Sequence, residues 1–240
     1  ARTRGTIGAM GYSDWTVSDN SVRKKRIPPA PTVSAPKSGS ITYNTSPRVL
    51  IATGIEPDGQ LQIIEVKVDD GAWLNSVDNA EMFSVGGELG DNVNTIFSSG
   101  ALSYGSHTVI IRCYDNVTLL RSTEVTRSFN VLETPFEAIT ANVTHVKAAH
   151  ITDLRSVVND LRNYYNITAY TWSNNIIAGR TQIRDWGYHI IEIRAAINDV
   201  VDYINDFDND AISPIDWLPL GTGRPRADVM NQLQELPIIV

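Results

Sequence analysis

Ile63-Ile64-Glu65-Val66-Lys67-Val68-Asp69-Asp70-Gly71-Ala72-Trp73 is the stretch on which the fold turns. Ile64, Val66 and Val68 alternate with Glu65 and Lys67, the period of two that sends successive side chains to opposite faces of a strand. Asp69-Asp70-Gly71 then supplies a tight hairpin turn before Trp73. The same signature recurs on both sides. Val109, Ile111 and Cys113 alternate with Ile110 and Arg112, and Asp115-Asn116 offers the next turn. Arg48-Val49-Leu50-Ile51-Ala52 and Arg127-Ser128-Phe129-Asn130-Val131-Leu132 read as further strands. About seven strands over residues 30–133 predict an immunoglobulin-like antiparallel β-sandwich.

From residue 134 to 240 the period changes to 3.6. Ile151, Leu154, Val158 and Leu161 mark one helical face, and Ile190, Ile193, Ile197 and Val200 mark another. These faces belong to a duplicated motif. His150-Ile151-Thr152-Asp153-Leu154-Arg155-Ser156-Val157-Val158-Asn159-Asp160 returns 39 residues later as His189-Ile190-Ile191-Glu192-Ile193-Arg194-Ala195-Ala196-Ile197-Asn198-Asp199, with five of eleven positions identical. The expected fold class is therefore multi-domain β plus α: a sandwich followed by a small helical module with an internal repeat. Arg226 to Leu236 predicts a third short helix. The apolar end Ile238-Ile239-Val240 is expected to be buried, either tucked onto the helices or added as a strand to another subunit.

The Ile63–Trp73 hairpin resembles the V-x-V-D-x-G-x-W hairpin of bacterial immunoglobulin-like and fibronectin III-like modules. Leu102-Ser103-Tyr104-Gly105-Ser106-His107-Thr108-Val109 through Tyr114-Asp115-Asn116 resembles their L-x-x-G-x-H-x-V segment. The immunoglobulin disulfide is missing, because Cys113 is the single cysteine. The two helical motifs, with the connector Tyr170-Thr171-Trp172 and Ile176-Ile177-Ala178-Gly179, resemble a duplicated H-I-x-[DE]-[LI]-R module of phage tail or fibre and extracellular bacterial proteins. That resemblance implies an accessory structural module and carries no reaction with it.

Residues 1–29 form a third region, a basic extended arm ending at Ile27-Pro28-Pro29-Ala30-Pro31, where clustered prolines forbid helix. Arg2, Arg4, Arg23, Lys24, Lys25 and Arg26 against Asp14 and Asp19 give it +4, whereas the remaining chain carries -11. A basic arm on an acidic body predicts docking onto a protein partner or a second copy. Nucleic acid is disfavoured, because neither Tyr12 nor Trp15 lies in the Arg23–Arg26 cluster. No stretch is long and apolar enough to insert in a membrane. The N-terminus lacks the apolar core of a secretory signal, which leaves a processed chain, a trimmed initiator Met before Ala1, or a fragment boundary.

Two clusters are candidates for metal. His150 with Asp153 and His189 with Glu192 each share a helical face at i, i+3, and would converge on a metal if the helices packed about a pseudo-twofold axis. The alternative is that each pair orders its own helix N-terminus while Arg155 and Arg194 bridge helices or cap carbonyls. Asp206, Asp208, Asp210 and Asp216 resemble the calcium loops of dockerins and EF-hands, so Ca²⁺ is the one cofactor considered. Ala211 replaces the usual glycine there, and the last acid comes one residue early. The plainer reading is an acidic, solvated turn after a helix.

Catalysis finds no support. The sequence has no Gly-x-Ser-x-Gly elbow and no phosphate-cradling glycine loop, and Cys113 falls on an inward strand position. Among the aromatics, Trp73 and Trp172 are expected in the core, and Trp186 is left open between core and sugar stacking. The expectation is a non-enzymatic structural protein of a bacteriophage virion, in a head decoration, neck or tail appendage. Its arm would anchor it, and neighbouring virion proteins or copies of itself would be its partners. The competing expectation is a secreted bacterial cell-surface module that binds glycan or cell wall.

Overall fold

The computed structural model describes residues 26–57, 60–136, 139–140, 146–173, 176, 186–208, 212–220 and 226–239. Arg2, Arg4, Arg23, Lys24, Lys25, Asp210 and Val240 lie outside these, and Arg26 is an exposed residue at their edge. The strands are β1 (Thr32–Ala35), β2 (Ser40–Thr42), β3 (Arg48–Ala52), β4 (Gln62–Val68), β5 (Trp73–Asn75), β6 (Asn94–Ser98), β7 (Gly105–Asp115) and β8 (Val125–Val131). A three-stranded sheet has the order β1-β3-β6, and a five-stranded sheet the order β2-β8-β7-β4-β5.

The alternation read from the sequence sets which residues face the core. β4 pairs antiparallel with β7 so that Ile64 opposes Cys113 and Val66 opposes Ile111, all four fully buried. Leu50, Ile51 and Phe97 of the other sheet join the same apolar cluster. At one edge the expected antiparallel pattern fails, because β2 runs parallel to β8. The chain reaches β2 by crossing from β1 in the other sheet, so β2 and its partner β8 are not joined by a hairpin and no tight turn imposes antiparallel pairing. Trp73 also departs from expectation. It pairs with Lys67, an outward position, so its ring sits half-exposed on the outer face with the Arg112 guanidinium carbon 3.8 Å from its centroid.

Three helices follow among the described residues: α1 (Ala148–Tyr164), α2 (Trp186–Phe207) and α3 (Ala227–Ile239). The apolar stripes behave as their period demands: Ile151, Leu154 and Val158 of α1 meet Ile190, Ile193 and Ile197 of α2 in one cluster with Val229, Met230 and Leu233 of α3. Helix α3 continues through Ile238 and Ile239, so this stretch is helical in the chain by itself. Leu161 and Tyr164 of α1, Tyr165 just after it, and Val200, Val201 and Ile204 of α2 enter the cluster built by the two sheets. Hydrogen bonds secure this junction, with Lys37 N–H donating to the Tyr164 carbonyl at 2.9 Å and the Tyr164 hydroxyl donating to the Arg48 carbonyl at 3.0 Å.

Candidate functional site

A polar ladder runs along one side of α1 and α2. Arg155 Nη2 donates to His189 Nδ1 at 2.9 Å and to Glu192 Oε2 at 2.8 Å. Seven residues on, Arg162 Nη1 donates to the Ala196 carbonyl at 3.0 Å and to Asp199 Oδ2 at 2.9 Å. The partner numbers also advance by seven, so the two helices run parallel and in constant register. Two buried guanidiniums thus span one helix pair, each with a carboxylate and a second acceptor. Burial pushes the Arg155 pKa down from its ordinary value, and Glu192 only partly restores it.

Asn159 Oδ1 accepts from Tyr170 N–H at 2.8 Å, and its counterpart Asn198 Oδ1 accepts from Trp217 Nε1 at 3.1 Å. Arg155 stacks on Trp172 at 4.8 Å, and Arg194 stacks on Trp217 at 4.9 Å while donating to the Leu218 carbonyl at 2.7 Å. Ser173 N–H reaches Glu192 at 2.8 Å, as Leu218 N–H reaches Gln232 of α3 at 3.1 Å.

The histidines do not meet as a metal site. Among the described residues no three His, Cys, Asp or Glu side chains gather to hold an ion. His150 Nδ1 accepts from Lys147 N–H at 3.0 Å and so orders the start of its own helix, whereas His189 Nδ1 is taken by Arg155. The motif contacts are head-to-tail: Arg155 of the first copy reaches His189 of the second, whereas a pseudo-twofold pairing would also have joined Arg194 to His150, and Arg194 instead donates to the Leu218 carbonyl. Asp153 is half-buried. In the acidic loop, Asp206 and Asp216 are exposed, Asp208 is half-buried, and Asp210 is outside the described residues. Asn205, absent from the expected ligand set, shapes this loop instead, bonding both the N–H and the carbonyl of Ile212.

Two side-chain clusters sit on the β part. Glu65 accepts from Arg112 Nε at 2.6 Å and from Arg121 Nε at 3.0 Å. Burial raises the Glu65 pKa, but the bonds from Arg121 and Arg112 outweigh that and hold it below its ordinary value. His107 lies between Asp69 Oδ2 at 2.7 Å and the Ser103 carbonyl at 2.8 Å. Cys113 is fully buried, and burial pushes its thiol up to about 12, far from a reactive thiolate.

No family model matches the chain, and no curated protein does. Among solved structures it is similar to the PKD domain of an M14-like peptidase from Thermoplasmatales archaeon SCGC AB-540-F20, at 19% identity over 46% of this chain and 100% of that one, with a TM-score of 0.35. It is similar to CopC from Methylosinus trichosporium OB3b at 17% identity over 46% of this chain and 98% of that one, TM-score 0.28. A likeness to the cell-surface-expressed chitinase ChiW of Paenibacillus sp. str. FPU-7 covers 76% of this chain and 16% of that one, at 12% identity and a TM-score of 0.29. No helix among the described residues is long and apolar enough to cross a membrane.

Several of these residues carried no signal in the sequence. Arg162 lies on the ladder, yet it falls outside the motif copy and its counterpart is Val201. Asp69 and His107 were visible only as letters of two separate segments. Their pairing across 38 positions depends on the β4–β7 register.

Proposed function

We propose that this chain is a non-enzymatic structural subunit of a bacteriophage particle, an immunoglobulin-like sandwich and a helical repeat module anchored by its basic arm. The observation that carries this reading is where its chemistry-bearing groups are spent. Arg155, Arg162, His189, Glu192, Glu65 and Cys113 bind one another, the backbone or the core, so they serve rigidity. The shared cluster of sheets and helices supports a stiff block suited to spacing or cementing neighbours.

The matched contacts of Asn159 with Asn198 and Arg155 with Arg194 support tandem units, each a helix with the aromatic segment that follows it. Helix α3 fits as a third, degenerate unit, with Gln232 in the role of Glu192 and Met230 and Leu233 in the places of Ile190 and Ile193. The separated charge, +4 on residues 1–26 against -11 on the rest, supports the arm as anchor to other virion proteins or to further copies.

Light scattering on the purified chain with and without residues 1–26 tests this. Self-association that depends on the arm and weakens with salt is expected. A monomer indifferent to the deletion removes homo-assembly and moves the search to the glycan-binding alternative, read by glycan array.

A further inference from the structure

The β part carries a surplus of buried oxygen at one end. Gln62 opens β4 and Asp115 closes β7, and the register sets them directly opposite each other. Both share the parity of the inward residues Ile64 and Cys113, and both are 0% exposed. Their acceptors are not all used. Asp115 Oδ1 takes the N–H groups of Val117 and Thr118 at 2.6 and 2.8 Å, but its Oδ2 is buried with no donor. The Gln62 amide nitrogen donates to the Gly54 carbonyl at 2.8 Å, which leaves Oε1 buried and without a donor.

A further buried carboxylate, Glu56, lies two residues beyond Gly54, whose carbonyl Gln62 holds. Glu56 is 3% exposed, its N–H held by Asp91 Oδ1 at 2.7 Å and its Oε2 accepting from Gln60 N–H at 2.9 Å. Asn116 Oδ1 is a further buried acceptor without a donor, on a residue whose N–H binds the Leu61 carbonyl at 3.1 Å. A single water would supply donors to Gln62 and Asp115 but would leave the charge of Asp115 uncompensated. No described lysine, arginine or histidine forms an ion pair with Asp115. A buried carboxylate of that kind is costly unless a cation neutralises it.

We propose that Asp115 Oδ2 and Gln62 Oε1, joined by the Glu56 carboxylate, bind a calcium ion at this end of β4 and β7. All the donors are oxygens, which excludes the soft and imidazole-preferring metals. Two carboxylates match a divalent charge, and amide oxygen with irregular loop geometry suits Ca²⁺ better than the strict octahedron of Mg²⁺. This site is separate from the acidic loop at 206–216 and stands independently of the proposed function.

The test is calcium chloride titrated into the whole chain by calorimetry, with thermal unfolding in calcium and in EGTA. One ion per chain is expected, and Tm rises by about 5–10 °C at a hundredfold excess over Kd. Asp115→Asn keeps the oxygen that caps the turn, and Gln62→Met keeps the length and loses the oxygen. Each should weaken calcium binding about tenfold or more, while Asp208→Asn leaves it unchanged. If Asp115→Asn does not fold, Gln62→Met decides alone. A wild type indifferent to calcium overturns the proposal in favour of a bridging water. Binding that survives Gln62→Met, or that is lost in Asp208→Asn, overturns it in favour of another site.

Discussion

His107 has an acceptor at each ring nitrogen, the Asp69 carboxylate at Nδ1 and the Ser103 carbonyl at Nε2. Neither partner has a proton to give, so both ring nitrogens must donate and the pair is satisfied by the imidazolium. Burial lowers the His107 pKa, but the bonds to Asp69 and Ser103 outweigh it and raise the value above the ordinary 6.5. A folded value above the unfolded one gives stability that is full below about pH 6.5 and disappears as pH rises through the folded value. Asp69 is 44% exposed, so the charge contributes only about 1 kcal/mol. Asp69→Asn, which still accepts from Thr108 N–H, should therefore lower the urea midpoint at pH 6 and flatten its decline toward pH 9. An unchanged slope in that variant would show that His107 is not the titrating group. The sequence contained both residues in plain view, but a period-two pattern says which face a residue takes and nothing about its cross-strand neighbour.

Helices α1 and α2 were legible as helices with a defined apolar face, because apolar residues at i, i+3 and i+4 leave one reading of that segment. Their mutual direction was not legible, since it depends on the path of the connector after Tyr165 rather than on either stripe. The ladder of Arg155 and Arg162 follows from the parallel arrangement, and it is where the element scale is most sensitive. Arg155→Ala leaves His189 and Glu192 facing a buried gap and should cost about 3 kcal/mol. Arg155→Met combined with Glu192→Leu replaces charge by packing and should cost clearly less than the two single changes added together. A double-mutant cycle in guanidinium reads this coupling, and simple additivity would mean that the pair is not coupled. Asn159→Ala and Asn198→Ala should each cost about 1 kcal/mol, the smaller loss expected for one hydrogen bond.

At the scale of the molecule, the change of period near residue 134 marks where strands give way to helices. It is silent about which core the helices join. Tyr164 shows why: at the last turn of α1 its ring packs edge-on against Phe129 of β8 at 5.9 Å and against Tyr165 at 5.1 Å, beneath the two sheets. The Tyr43 hydroxyl donates to Asp160 of α1 at 2.9 Å, and Asn94 at the start of β6 donates to the carbonyl of Phe207, the last residue of α2. Both helices are therefore tied to the β part by apolar burial and by bonds, which predicts one cooperative unfolding transition. Tyr164→Phe removes only the hydroxyl bond to Arg48 and should cost about 1 kcal/mol with that single transition intact. Tyr164→Ala opens a cavity where the two parts join, should cost about 3–5 kcal/mol, and should split the calorimetric peak in two. Two peaks already present in the wild type would mean that this junction does not couple the sheets to the helices.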